Sequence, residues 1–376
     1  MKYFIIAGER SGDLHASNLV RSLKQQDAHA EIKGWGGELM HSAGVEVLKP
    51  YQEISFMGFA EVLTNAGKIF RALKECKEHI LGFKPDVVIL VDFAGFNLRV
   101  AKFAKESGIK VYYYISPKVW AWNQSRAWKI KAVVDKMFVI LPFEKEFFKK
   151  YGMEVDYVGN PINDAISNHK NNPDFRESND LFGRPIIALL PGSRKQEVQA
   201  MLDQMLEITK FFPAYQFVIA AVGNLPKEYY EPYKSDRIKV VYDQTYDLLA
   251  VSEAAVVTSG TATLETALMG VPQVVVYKAN KLTYLIARML IKVKYISLVN
   301  LVANAAVVKE LIQSDFNPEN IAYELKQILE NENYQQKILL DYRRVKNLVG
   351  EPGASDNAAR LMYQYLTNDI KKEEQV

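Results

Sequence analysis

Asp92 is the first residue to weigh as a catalyst, because it ends the apolar run Val87–Val91 and opens the loop Asp92-Phe93-Ala94-Gly95-Phe96-Asn97. A carboxylate at the carboxyl end of a buried strand suits a general base that takes the proton of a hydroxyl. Two further segments offer anion-binding chemistry. Pro191-Gly192-Ser193-Arg194 follows the run Ile186–Leu190, so backbone amides and a guanidinium that grips phosphate bidentately converge on one point. Ser259-Gly260-Thr261-Ala262-Thr263-Leu264-Glu265 follows another strand and presents amides and hydroxyls to a diphosphate, with Glu265 placed to accept from ribose hydroxyls. Together they describe a seat for a nucleoside diphosphate, with Ser193, Arg194, Gly260, Thr261, Ala262, Thr263 and Glu265 as its candidate residues. A fourth loop, Ala7-Gly8-Glu9-Arg10-Ser11-Gly12-Asp13, also joins a strand to a helix. It makes Glu9 a reserve candidate for the base and Ser11, Gly12 and Asp13 candidate ligands. Its spacing is neither the dinucleotide fingerprint nor a Walker loop.

Each of these residues has a plainer role to set beside the chemical one. Asp92 could satisfy loop amides while Asn97 caps the next helix, Ser11 or Asp13 could cap the first helix, and Arg194 could be a surface residue after a turn. Glu265 could merely complement a helix dipole. His15, His29, His41, His79 and His169 show no metal-ligand spacing, and no Asp-x-Asp pair or Ser-His-Asp arrangement is present. No metal or other cofactor is therefore expected.

Parallel strands joined by helical crossovers are what the sequence predicts to carry these loops. In a first series the strands are Tyr3–Ala7, Val87–Val91, Lys110–Ile115 and Lys136–Leu141, with helices at Leu14–Leu23, Lys68–Leu81, Leu98–Lys105 and Phe143–Lys149. In a second series they are Ile186–Leu190, Gln216–Ala221, Ile238–Tyr242, Ala255–Thr258 and Gln273–Tyr277, with helices near Gln196–Phe211, Ala262–Met269 and Leu282–Ile291. Between them, Asn160–Arg184 lapses into Asn, Asp, Pro and Ser, a boundary composition. The expected fold class is α/β, with two doubly wound domains at 1–165 and 166–345 and a helical tail at 346–376 that packs back across the domains or onto a partner chain. Ligands of such folds bind beyond the carboxyl ends of the strands, where all the candidate loops lie.

At 376 residues, with 49% hydrophobic and 24% charged residues, the chain has an ordinary globular composition that excludes disorder and fibrous repeats. A formal net charge of +3 gives no support to a nucleic-acid partner. The single cysteine, Cys76, cannot form an internal disulfide and fits a reducing compartment. Met1–Glu9 is too short an apolar run for a signal peptide, and no run of about 20 apolar residues spans a bilayer. These features point to a cytoplasmic protein. Phe56, Met57, Phe59, Val62 and Leu63, followed by Lys68, Arg71, Lys74 and Lys77, combine an apolar wedge with a basic flank, which suits an anionic membrane surface as well as an ordinary core face. Lys281–Lys294 repeats the pattern more weakly.

The loops taken together resemble those of one family, the lipid-A-disaccharide synthases, metal-independent glycosyltransferases of the GT-B type with two Rossmann-like domains facing across a cleft. The resemblance runs from Ala7–Asp13 through Gly34-Trp35-Gly36-Gly37, Ser116-Pro117-Lys118-Val119-Trp120-Ala121-Trp122, Leu141-Pro142-Phe143-Glu144 and Val158-Gly159-Asn160-Pro161. It continues with Leu190–Arg194, Ser259–Glu265 and Ser297-Leu298-Val299-Asn300-Leu301. Ser-Pro-x-Val-Trp-Ala-Trp is its most specific run. The resemblance implies an inverting transfer of 2,3-diacylglucosamine from its UDP derivative to the 6-hydroxyl of 2,3-diacylglucosamine 1-phosphate, giving a β(1→6) disaccharide 1-phosphate and UDP. It implies UDP on the second domain, through Arg194, and the acyl sugar acceptor near the first, with Asn300 a further candidate. It also implies a peripheral position on the inner face of the cytoplasmic membrane and is compatible with a homodimer that exchanges its C-terminal segment. Asp92 matches the first acid of the family's Asp-x-Pro-Asp-Phe-Asn motif, but Ala94 and Gly95 replace its Pro and second Asp, which adds weight to Asp92 as sole base. The alternatives are another UDP-sugar enzyme of this fold, such as a UDP-N-acetylglucosamine 2-epimerase, and a non-catalytic lipid-binding protein; a dehydrogenase lacks its fingerprint here.

Overall fold

A chain of short, wholly apolar runs can satisfy its backbone only by placing them inside a sheet covered on both faces, which is the condition for parallel pairing. The computed structural model describes residues 1–54, 66–193, 195–223, 225–280, 284 and 293–373, and divides the chain into two units. One is Met1–Pro161 with Pro352–Val376, the other Ile162–Glu351.

In the first unit β1 (Lys2–Ala7), β2 (Glu31–Gly36), β3 (Glu46–Pro50), β4 (Val87–Val91), β5 (Lys110–Tyr114), β6 (Lys136–Val139) and β7 (Asp156–Tyr157) form one sheet. Their order is β3-β2-β1-β4-β5-β6-β7. Tyr3 pairs with Val87 and Ala7 with Val91, in parallel. The order reverses between β1 and β4, and at such a switch point the two connections leave on opposite faces and open a crevice. Gly8-Glu9 and Asp92 therefore emerge side by side.

The second unit repeats the scheme with β8 (Ile186–Leu190), β9 (Gln216–Ala221), β10 (Ile238–Tyr242), β11 (Ala254–Thr258), β12 (Gln273–Tyr277) and β13 (Glu310–Ile312). Its order, β10-β9-β8-β11-β12-β13, has its switch between β8 and β11. The Pro191–Ser193 and Ser259–Glu265 loops thus leave neighbouring strands. The expected α/β class with two doubly wound units is what the structure shows. Absent from the sequence expectation were β2, β3, β7 and β13: β2 carries Gly34 and Gly36, β3 is half-exposed, and the last two have only two and three residues.

The C-terminal segment is divided between the two units. Glu332–Val349 is a helix of the second unit, and Gly350 and Gly353, with φ of 78° and 116°, turn the chain into a last helix, Ala354–Glu373, which belongs to the first unit. That helix buries Ala358, Ala359, Met362 and Leu366 against Tyr3, Ile5, Leu19 and Leu23. Its alanines let it lie close to the helix Arg10–Gln26, and Ser22 donates a hydrogen bond to Asp356. Tyr365 reaches Asp156 at 3.1 Å and Lys110 pairs with Asp369 at 3.1 Å.

Truncating Met362 to Ala, which opens a cavity where the helix meets the sheet, should cost about 2–5 kcal/mol. Urea unfolding followed by tryptophan fluorescence, whose four reporters (Trp35, Trp120, Trp122, Trp128) all lie in the first unit, should show a lower midpoint with an unchanged slope.

Candidate active site

β4 ends in an unusual backbone. Asp92 and Phe93 have φ of 46° and 47°, two successive left-handed residues without a glycine. Such conformations cost about 1–3 kcal/mol each and persist only where neighbours enforce them. The wholly buried Asn97 donates to the carbonyls of Val91 and Asp92, at 3.2 and 2.8 Å, and the Tyr113 hydroxyl donates to the Asp92 carbonyl at 2.5 Å. Asn97 thus fixes the loop rather than merely capping a helix. The turn throws the Phe93 ring back over Gly8, where an added Cβ would stand 2.2 Å from the ring. Phe93 rests in turn on Phe96, which stacks on Trp35. Burial pushes the Asp92 carboxyl above the usual carboxylate range, opposed by the Lys118 ammonium and the Phe93 N–H. A carboxylate with raised proton affinity is a better base.

The β1 loop divides its residues between exposure and structure. Glu9 and Ser11 are exposed, while Gly12 packs on Ala7. Asp13 is buried and accepts from the backbone N–H groups of Gly37, Leu39 and Met40, at 2.7, 3.1 and 3.1 Å. It does not cap its own helix: it holds the turn that follows β2, and Gly37 leaves room for it.

A second carboxylate at this sheet edge escaped the chemical reading of the sequence. Glu144 is buried between the loops that follow β5 and β6. Ser116 and Trp120 Nε1 donate to Oε1, the indole at 3.2 Å, and the Leu141 N–H donates to Oε2 at 2.9 Å. Burial pushes its carboxyl up to about 7 against the pull of those donors. The Ser-Pro-x-Val-Trp and Leu-Pro-x-Glu runs are therefore two halves of one clamp. An acid five residues beyond β6, at the start of a helix, was the available signal.

In the second unit, Gly192 has φ of 109° and Ser193 N–H donates to Glu197 at 3.2 Å. Arg194 lies outside the described residues. Gly260 and Thr261 are exposed at the adjacent loop, and Ala262 starts a helix of seven residues, Ala262–Leu268. Thr263 is engaged inside: its hydroxyl donates to Gly260 O at 2.8 Å and accepts from Leu298 N–H at 3.1 Å. Glu265 accepts from the Tyr246 hydroxyl at 3.1 Å, and burial raises its carboxyl. Asn300 is buried, with its amide nitrogen on Val308 O and Glu310 and its oxygen accepting from Val307 and Val308 N–H. Glu310 also accepts from Ile296 and Ser297, so Asn300 is part of a hydrogen-bonded hub within the second unit.

Phe56, Met57, Phe59, Val62 and Leu63 lie outside the described residues, as does most of the 281–294 stripe. The helix Ala66–Phe83 that follows the first of these exposes Phe70, Lys68, Arg71 and Lys74. Among the described residues no helix is long and apolar enough to cross a membrane, and no cluster of three or more His, Cys, Asp or Glu side chains is arranged to hold a metal ion.

Residues 3–361 match the family model described as lipid-A-disaccharide synthetase. The chain belongs to the lipid-A-disaccharide synthetase family. It is 37% identical over 367 residues to the lipid-A-disaccharide synthase of Coxiella burnetii, covering 96% of this chain and 98% of that one. With the synthase of Geobacter metallireducens it shares 38% over 378 residues, 97% of each chain. A solved UDP-GlcNAc 2-epimerase from Neisseria meningitidis, bound to UDP-GlcNAc, has the same fold, with a TM-score of 0.69 at 15% identity over 98% of this chain and all of that one. Membership in the synthetase family makes the chain a glycosyltransferase.

The clamp at Glu144 makes a measurable prediction. A carboxyl raised to about 7 in the native state, against about 4.3 in an unfolded chain, contributes stability that is complete below pH about 4.3 and is lost as the pH rises through about 7. Between pH 5 and 8 the wild type should lose about 2–3 kcal/mol relative to Glu144→Gln, measured by urea unfolding at each pH. A gap that does not change with pH would mean that Glu144 stays ionised throughout.

Proposed function

We propose that this family member transfers 2,3-diacylglucosamine from UDP-2,3-diacylglucosamine to the 6-hydroxyl of 2,3-diacylglucosamine 1-phosphate in a single inverting displacement. The observation that carries the reading is Asp92, held in a strained turn at the β1/β4 switch point with its carboxyl raised by burial. As the base, Asp92 takes the proton of the acceptor 6-hydroxyl. The oxygen bonds to the anomeric carbon of the donor, whose bond to the diphosphate breaks, and UDP departs with that electron pair. The anomeric centre inverts to β, and the proton passes from Asp92 to water. Glu9, exposed beside this turn, is the reserve base.

The leaving diphosphate gains negative charge, and donors aimed at it lower the barrier. Arg194, Ser193 and the Gly260-Thr261-Ala262 backbone are assigned that task, with Glu265 toward the ribose. That the loops carrying them leave adjacent strands β8 and β11 supports one shared seat. No metal is required for this chemistry. Acyl chains on both substrates call for a position at the inner face of the cytoplasmic membrane, with the 56–63 segment and the basic helix behind it as the contact. In a homodimer with exchanged C-terminal segments, the helix Ala354–Glu373 of a second copy would take the place that it occupies here.

Purified protein mixed with both lipids in the presence of chelator should yield the tetra-acylated disaccharide 1-phosphate by mass spectrometry. Asp92→Asn should lower kcat by about 10²–10⁴-fold while UDP affinity stays near wild type, and Arg194→Ala should weaken UDP binding. Equal loss of transfer and UDP binding in Asp92→Asn would make its role structural.

A further inference from the structure

Lys118 stands out by its place: it follows β5, next to the strand that ends at Asp92. Lys118 is exposed and forms no salt bridge among the described residues, yet its charge acts on Asp92. Its backbone is tied down on both sides. Two residues before it Ser116, and two after it Trp120, both donate to the one buried oxygen of Glu144. Val119 N–H donates back to Pro117 O at 2.6 Å, and the Trp120 ring stands edge-on to Phe143 at 4.9 Å. A buried carboxylate thus fixes the base of a side chain whose ammonium has no salt-bridge partner among the described residues and acts on Asp92. Such a lysine is suited to a compact anion that arrives with the substrate.

The acceptor brings that anion. Its reacting 6-hydroxyl and its 1-phosphate are borne by the two arms that flank the ring oxygen, so a base on the first and a cation on the second must be neighbours. Asp92 and Lys118, at the carboxyl ends of the adjacent strands β4 and β5, are such a pair. We propose that Lys118, held in place by the Glu144 clamp, receives the phosphomonoester of the acceptor and so selects the 1-phosphate over the neutral sugar. The assignment rests on Asp92 as the base. It gives the Ser-Pro-Lys-Val-Trp run a function: Lys118 recognises the acceptor, and Ser116 and Trp120 position it.

The test is Lys118→Met, an exposed substitution whose urea midpoint should match wild type, assayed with 2,3-diacylglucosamine 1-phosphate and with its dephosphorylated counterpart. Lys118→Met should cut kcat/KM for the phosphorylated acceptor about 10- to 100-fold more than for the neutral acceptor, with UDP affinity near wild type, and Lys118→Arg should restore most of that difference. Equal losses with both acceptors, no loss with either, or a weakened affinity for UDP would overturn the proposal. Phosphorus NMR of the acceptor titrated with protein in the absence of donor gives an answer independent of turnover. The resonance should move with wild type and not with Lys118→Met, and an equal response from both would sink the assignment. If Asp92→Asn still transfers sugar, the reading of the base fails while the phosphorus titration still decides the role of Lys118.

Discussion

Every recorded strand pairing in both sheets is parallel, and a parallel neighbour can be reached only by a crossover that returns the chain to the starting edge. All strands of a sheet therefore end at the same edge, and their loops gather there whatever their sequence. Where the strand order reverses, the connections part to opposite faces and leave a gap that no crossover fills. One gap lies beside Asp92 and the other beside Gly192 and Gly260. Both places are set by the winding of the chain before any side chain is chosen, and the candidate site residues are additions to crevices that topology has already opened.

The buried and half-buried acids around these sheets are used in different ways, and their partners separate the uses. Asp13, Glu144 and Glu310 each accept three or more hydrogen bonds from backbone or side-chain donors and act as cross-ties between loops. Asp92 is different, because the protein holds chiefly its backbone and leaves the carboxyl to a single nearby N–H and the Lys118 ammonium. An acid surrounded by donors is part of the frame. One whose main chain is fixed and whose carboxyl is largely unclaimed is equipped to exchange a proton.

Both sheets and the switch-point loops were legible in the sequence because contiguous apolar runs such as Val87–Val91 and Ile186–Leu190 have no stable place except inside a parallel sheet, and their boundaries match the structure residue for residue. Strands that depend on a neighbour were not legible. β2 needs Gly34 because an added Cβ would lie 2.0 Å from Ile5 O, a condition visible only once β1 is alongside. The role of Asp13 likewise depends on amides 24 to 27 residues further along the chain, and that of Asn300 on Glu310. Residue type and loop position marked Asp92, but what distinguishes it, a left-handed main chain locked by Asn97 and Tyr113, is a property of three segments at once.

The return of the last helix to the first unit also affects the order of assembly. Residues 162–351 form a unit continuous in sequence, which can fold as soon as it leaves the ribosome, since domains generally fold as units during synthesis. The first unit has most of its sheet earlier, yet one face of β1 and the helix Arg10–Gln26 stays open until Ala354–Glu373 has been made. The half translated first is thus the half completed last, with the apolar face around Tyr3, Ile5 and Leu19 uncovered throughout the translation of the second. That interval is when the nascent chain is most exposed to aggregation and to capture by chaperones.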